Sequence, residues 1–180
     1  MQLNQDGYQP SQNGPPQSLR LSFREAAADD MPRIMDIFTK GFKGQVPQET
    51  LPAYEATFAR HMDSPTHQFN VAVLNGRIAG FTDLSTIKPD YTYLEVIGVD
   101  PAEQGSGIGK ALMQDAEKTT ARLGREQLAF HVREDNISGR KFYDKLGYAV
   151  RGIEKGFYDW DGVDALVMSK FVAQQQAPRR

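Results

Sequence analysis

The sequence predicts an α/β fold in which one mixed sheet carries helices on its faces. Three observations predict it. Strand-like and helix-like hydrophobic periods succeed one another in the order βααβββαβαββ, an Asn-Gly pair joins two strand-like runs, and a glycine-rich stretch leads from a strand into a helix. At 180 residues the chain is long enough for one domain with a real core.

Residues 21–24 alternate apolar and polar side chains and read as the first strand. Asp29 and Asp30, followed by Met31 and Pro32, mark a helix start, with Ile34, Ile37 and Phe38 at helical spacing. A second helix is expected within 48–61. Residues 69–74, the turn Asn75-Gly76 and residues 77–84 form the clearest hairpin, because Asn and Gly tolerate the positive φ such a turn demands. A strand over 91–99 is closed by Asp100-Pro101. A helix follows over 107–123, with Ile108, Leu112, Ala116 and Leu123 on one stripe and Gly124 ending it. Residues 128–132 read as a strand and 137–146 as a helix capped by Gly147. Residues 148–153 and 165–171 supply two last strands around a loop. Residues 1–18 and 174–180 carry almost nothing to bury and read as disordered tails, which leaves a single domain over 19–173.

Composition narrows the chemistry. Lys plus Arg (21) against Asp plus Glu (23) gives a formal charge of −2, which offers no basic field for nucleic acid and suits a neutral or cationic partner. No stretch approaches the roughly 20 apolar residues of a membrane helix, and the Gln-, Asn- and Pro-rich start is neither a signal nor a transit peptide. A cytoplasmic location is expected. The chain has no cysteine, which excludes disulfides, thiolate metal sites and an acyl group parked on a protein thiol. No metal is expected.

Between Val99 and Lys110 three glycines, Gly105, Gly107 and Gly109, stand at alternate positions where a strand passes into a helix. They let the backbone turn tightly and approach a ligand, and the free N–H groups of the helix start suit a diphosphate. A Walker A loop needs four residues between its first Gly and the Gly-Lys pair, then Ser or Thr. Here three separate Gly105 from Gly109, and Ala111 replaces the hydroxyl. A Rossmann fingerprint would want Gly at Lys110. The glycines alone would also serve a simple connection to a core-packing helix.

The next layer of residues decides more. Gln104-Gly105-Ser106-Gly107-Ile108-Gly109 resembles the Gln/Arg-x-x-Gly-x-Gly/Ala signature of the GCN5-related N-acetyltransferases (GNAT), and the strand ahead, Tyr93 to Val99, is similar too. The segment from Asn136 to Tyr148, with Tyr143 and Gly147, resembles that family's Asn-x-x-Ala-x-x-x-Tyr…Gly-Phe block. The ending from Phe157 to Met168 is similar to the branch that acetylates protein N-termini, of the ribosomal-protein-alanine type. The likeness runs from about residue 21 to 171. It implies a mixed, mostly antiparallel sheet of about seven strands with the parallel strands 4 and 5 splayed apart, and about four helices. Acetyl-CoA would lie in that gap as cosubstrate. Its pantetheine arm would pair with the backbone of Ile97, Gly98 and Val99. Gln104, Gly105, Ser106, Gly107, Ile108, Gly109 and Lys110 would hold the pyrophosphate, and Asn136 would reach the pantetheine or phosphate region. A homodimer is common among similar proteins. Gly139 departs from the pattern, standing where the family usually has Ala, and 41–47, which governs acceptor choice in relatives, holds nothing diagnostic.

Amide formation from an amine and a thioester needs a base for the ammonium, donors for the oxyanion and an acid for the thiolate. His131 is the candidate base, since an imidazole ordinarily titrates near neutrality. Tyr93 matches a tyrosine that works with that histidine in part of the N-terminal branch. Glu95 competes with His131, because strict alternation puts Tyr93, Glu95, Ile97 and Val99 on one strand face. Tyr143 is the acid by motif match, although pattern alone would make it a core aromatic. Phe157, Tyr158 and Trp160 crowd the loop between the last strands, where Tyr158 matches a residue that touches peptide backbone. The expected activity is direct acetyl transfer to a primary amine, on a protein N-terminus or lysine or on a small amine. The alternatives are a small-molecule acetyltransferase for an aminoglycoside, polyamine or amino sugar, and a non-catalytic acyl-CoA-binding sensor.

Overall fold

In the computed structural model, which describes residues 20–172, the elements follow one another in the expected order. The two expected tails, 1–18 and 174–180, lie outside the described residues. The strands are β1 (Leu21–Glu25), β2 (His67–Leu74), β3 (Arg77–Ser85), β4 (Tyr91–Val99), β5 (Gln127–Arg133), β6 (Ala149–Tyr158) and β7 (Val163–Phe171). The helices are α1 (Met31–Gly41), α2 (Leu51–Met62), α3 (Ile108–Arg122) and α4 (Ile137–Lys145). One sheet runs β1-β2-β3-β4-β5-β7-β6, and every pairing is antiparallel except β4 with β5.

Local chemistry sets the boundaries. Asn75 (φ 50°) and Gly76 (φ 82°) make the β2–β3 turn in the left-handed region that Asn and Gly tolerate. Proline stands in the first turn of α1 and of α2, where no intrahelical N–H is needed. β6 runs on to Tyr158, beyond the expected 153, so Phe157 and Tyr158 finish a strand and only Trp160 stays in the turn. Its burial gives the reason: Val150, Ile153 and Phe157 are exposed on an edge strand, so no buried-exposed alternation marks its length.

The helices form a layer on each face. Ile34, Ile37 and Phe38 of α1 and Phe58 of α2 pack on Phe69, Val71 and Phe81 of the sheet. Met113 and Ala116 of α3, with Phe142 and Tyr143 of α4, pack on Leu84, Leu94, Leu128 and Phe130 of the opposite face. Burying these side chains is the main source of stability, at roughly 25 cal/mol per Å² of apolar surface.

Two irregularities shape the middle of the sheet. β4 and β5 pair only through Tyr91 with Gln127, Thr92 with Leu128 and Tyr93 with Ala129, although each strand continues. On the other side of β4 the register slips: Asp83 faces Val96 but Leu84 faces Leu94, so Glu95 is the extra residue of a β-bulge.

Beyond Val99, Asp100 fastens the exit of β4. Its side chain accepts from the N–H of Ala102 (3.0 Å) and from the Arg33 guanidinium of α1. Burial alone would raise this carboxyl's pKa, but the Ala102 N–H and then Arg33 outweigh it and hold it below the usual carboxylate range. Asp100→Asn is expected to cost about 1–2 kcal/mol at neutral pH, read from urea unfolding. A carboxyl depressed in the folded state stabilises only while ionised. The wild-type advantage is therefore full above about pH 4, the unfolded value, and the two unfolding curves converge as pH falls through the folded one.

Candidate active site

Where β4 and β5 part, one edge of β4 is left without a neighbouring strand from residue 94 onward. The glycine-rich turn stands at the open end of this gap. Pro101–Glu103 form a short 3-10 turn; Gly105 (φ 82°) and Gly107 (φ 92°) then take left-handed conformations that a side chain would strain. Ala111 is the first residue of α3 whose N–H returns to the helix, to Gly107 O at 3.0 Å, so the N–H groups of Ile108, Gly109 and Lys110 face outward from its positive end. Gln104 and Lys110 are exposed. Ile108 is a core residue beside Leu112, which leaves only its N–H to the turn. Ser106 donates its hydroxyl to Glu103 O at 2.5 Å and so braces the loop.

The bulge at Glu95 resets the faces of β4. Ile97 and Val99 pack with Ile108 and Leu112 toward α3, whereas Val96 lies with Phe81 on the α1–α2 side. Strict alternation is therefore broken: Ile97 and Val99 do not share a face with Tyr93. Gly98 is glycine for a packing reason, because a Cβ there would stand 2.4 Å from Phe81 Cε1.

Across the gap, Asn136 caps α4, its Oδ1 accepting from Gly139 N–H (2.9 Å) and the Ser138 hydroxyl (3.2 Å). A Cβ on Gly139 would come within 2.6 Å of the Asn136 side chain, so the space at Gly139 belongs to that cap. Tyr143 leans on Phe130, with ring centroids 4.4 Å apart, on the α3–α4 face that also holds Ile97. Desolvation raises its phenol well above the ordinary value, so it keeps its proton.

The opposite face carries a second set. The Tyr93 hydroxyl meets His131 Nδ1, and His131 lies flat against Phe157, with centroids 4.3 Å apart and planes 8° from parallel. On its far side, Nε2 lies 3.0 Å from Glu154 Oε1, close enough for charge attraction but too poorly aligned to count as a hydrogen bond. Burial, then the charge of Glu95, pushes the Tyr93 phenol up, so it stays an O–H donor. With a carboxylate facing Nε2, the favoured tautomer has Nε2–H toward Glu154 and Nδ1 accepting from Tyr93. Glu95 is exposed at the bulge, and its carboxyl is nevertheless raised, first by partial desolvation and then by repulsion from Asp83.

Arg133 fixes the wall of this face. It grips Asp135 (3.0 and 2.9 Å) and Asp161 of the β6–β7 turn (2.7 Å), and its guanidinium carbon lies 4.8 Å from the centre of the Tyr158 ring. Desolvation carries the Tyr158 phenol up to about 12 against the pull of Arg133. Neither Arg133 nor Glu154 stands out in the sequence: one ends a strand, the other sits in the part of β6 without a buried-exposed pattern. A polar depression of about 260 Å³ between β1 and α3, lined by Arg24, Glu25, Asp115 and Arg122 among others, lies away from the gap and contains none of these groups.

A parallel pair that splays beside a phosphate-type turn is the arrangement the sequence motifs implied, and residues 31–148 match the acetyltransferase (GNAT) family. The chain belongs to the GNAT family. It is an N-acetyltransferase, related to GNAT enzymes across bacteria and archaea. It is 33% identical over 118 residues to the N-alpha-acetyltransferase RimI of Mycobacterium tuberculosis, covering 64% of this chain and 73% of that protein. The crystal structure of the ribosomal-protein-S18-alanine N-acetyltransferase from Escherichia coli superposes with a TM-score of 0.70 at 22% identity, over 89% of this chain and 99% of the other. The PaiA N-acetyltransferase of Thermoplasma acidophilum, solved in complex with coenzyme A, gives 0.68 at 20%, over 84% and 99%. Among the described residues no helix of this GNAT protein is long and apolar enough to cross a membrane.

Because Phe81 fills the space beside Gly98, Gly98→Ala is expected to destabilise the enzyme by about 1–3 kcal/mol through overpacking. Thermal or urea unfolding would show it. Gly98→Ala/Phe81→Leu should recover part of the loss, since the smaller residue makes room.

Proposed function

We propose that this enzyme transfers the acetyl group of acetyl-CoA directly to the α-amine of a protein or peptide N-terminus. The observation that carries the reading is the division of the candidate groups across the gap: Tyr143 lies on the α3–α4 face, and Tyr93 with His131 on the α1–α2 face. Two substrates entering from opposite sides would meet between them. The outward N–H groups at the start of α3 suit the diphosphate of coenzyme A, and the unpaired edge of β4 suits its pantetheine amides. The relatives named for N-terminal alanine or N-alpha acetylation support the acceptor class, as do the carboxylates Glu95 and Glu154 beside a site that would receive an ammonium group.

In this reading the ammonium gives a proton to the Tyr93 oxygen as the Tyr93 proton passes to His131 Nδ1, and the resulting imidazolium is stabilised by Glu154. The freed amine attacks the thioester carbon. A backbone N–H near Val99 stabilises the oxyanion. As the tetrahedral intermediate collapses, the C–S bond breaks, the thiolate takes the Tyr143 proton, and the second proton of the nitrogen, passed through solvent, restores the Tyr143 phenol. The net products are the acetamide, the CoA thiol and one proton released through His131. Such proton transfer is worth about 10²–10⁴ in rate.

The decisive experiment supplies acetyl-CoA with peptides bearing free or blocked N-termini, with lysine-only peptides and with small amines. Acetylation mapped by mass spectrometry to the α-amine is expected; transfer confined to lysine or to small amines would overturn the reading. Tyr143→Phe should cut kcat while leaving acetyl-CoA affinity nearly unchanged. His131→Ala should remove the low-pH limb of the rate profile, and an unaltered limb would pass the role to Glu95.

A further inference from the structure

The chain has three histidines, and the fold brings all of them to the α1–α2 face near Glu95. One is His131. The other two belong to a separate cluster that the acyl-transfer chemistry does not use. His61 stands in the last turn of α2, His67 opens β2, and Asp83 lies on β3. His61 Nδ1 is 2.5 Å from one Asp83 carboxylate oxygen and His67 Nδ1 is 2.9 Å from the other. The two imidazoles stack with centroids 3.7 Å apart and planes 23° from parallel.

Asp83 is fully buried, and among the described residues no lysine or arginine pairs with it. Burying an ionised carboxylate is costly without a compensating charge. The pressure is increased by Glu95, a second carboxylate whose charge is repelled by Asp83. Each imidazole offers a ring nitrogen as a ligand atom, and the carboxylate offers an oxygen. The three donor atoms lie within 4.8 Å of one another, held by a helix end and two paired strands. His61 keeps 22% of its side-chain surface exposed, which gives a way in from solvent.

We propose that His61, His67 and Asp83 form a binding site for a divalent transition cation, with zinc as the type. Two nitrogens and one carboxylate oxygen are a borderline donor set that favours such ions over magnesium or calcium, which prefer all-oxygen shells. The cation binds between the two Nδ1 atoms and the Asp83 carboxylate, in place of the hydrogen bonds that now join them, with small rotations of both rings to open the donor separations. Three protein ligands leave a fourth position for water. The site is independent of how the acetyl group moves and stands or falls without the proposed acceptor.

The test uses tag-free, chelator-treated protein with Zn²⁺ in calorimetry and Co²⁺ in visible absorption. Wild type should bind a single equivalent of Zn²⁺ and develop saturable Co²⁺ ligand-field bands. His61→Gln and His67→Gln should each weaken binding by more than about 100-fold, the upper range for loss of even an outer partner. His131→Gln should bind as wild type does, which separates this site from the His131–Glu154 pair. Circular dichroism checks that each variant is folded. Should the variants not fold, the wild-type titration decides alone. Absence of saturable binding there, or unchanged affinity in the folded His61→Gln/His67→Gln double variant, would overturn the proposal.

Discussion

The separation of β4 from β5 after Tyr93 and Ala129 is the constraint on which the rest of the molecule depends. A parallel pair that stays together would close the sheet and leave no path between its faces. Here each strand finds its remaining hydrogen bonds on the other side: β4 with β3 up to Val99, and β5 with β7 along its whole length from Gln127 to Arg133. Neither strand pays for the gap with frayed ends, because both stay anchored by an antiparallel neighbour. The helices follow from this. α3 packs where β4 diverges, and α4 packs where β5 does, so Ile97 and Tyr143 come to line one side of the opening.

The bulge at Glu95 is the second device. By adding one residue it lets Tyr93 look toward His131 while Ile97 and Val99 turn to α3. One short strand thus serves two faces with different chemistry. Apolar side chains meet the helix on one face. On the other a phenol, an imidazole and two carboxylates gather, and Arg133 ties in the β6–β7 turn beside them.

Much of this was legible in the sequence, and the limits have physical reasons. The strand 91–99 and the Asn75-Gly76 turn are written locally, in a β-prone run closed by Asp100-Pro101 and in residues that accept positive φ. The turn at Gly105 and Gly107 could be read for the same reason, and the pairing of Tyr93 with His131 followed from a family pattern rather than from spacing. The bulge could not be read, because a register slip belongs to two strands at once and β4 alone carries no mark of it. β6 was read short, since an exposed edge strand has no periodic burial, and Glu154 was missed with it. Gly139, which departs from the family's usual Ala, has a local reason: a Cβ there would meet the side chain of Asn136, the cap of its own helix. Nothing in the spacing of residues 61, 67 and 83 foretells that they meet.

The three-residue junction between β4 and β5 also has a mechanical meaning. It divides the sheet into a leaf of β1 to β4 and a leaf of β5, β7 and β6, joined at one end by three residue pairs. Arg125 clasps that same end, donating to the carbonyls of Pro89 (2.8 Å) and Thr86 (3.3 Å), while Glu126 N–H reaches Asp90 O at 3.0 Å. Such a joint behaves like the spine of a book. Small rotations about it change the width of the opening most at the far end, where the glycine turn stands, and least beside Tyr93, so the contact between Tyr93 and His131 keeps its spacing while the mouth adjusts.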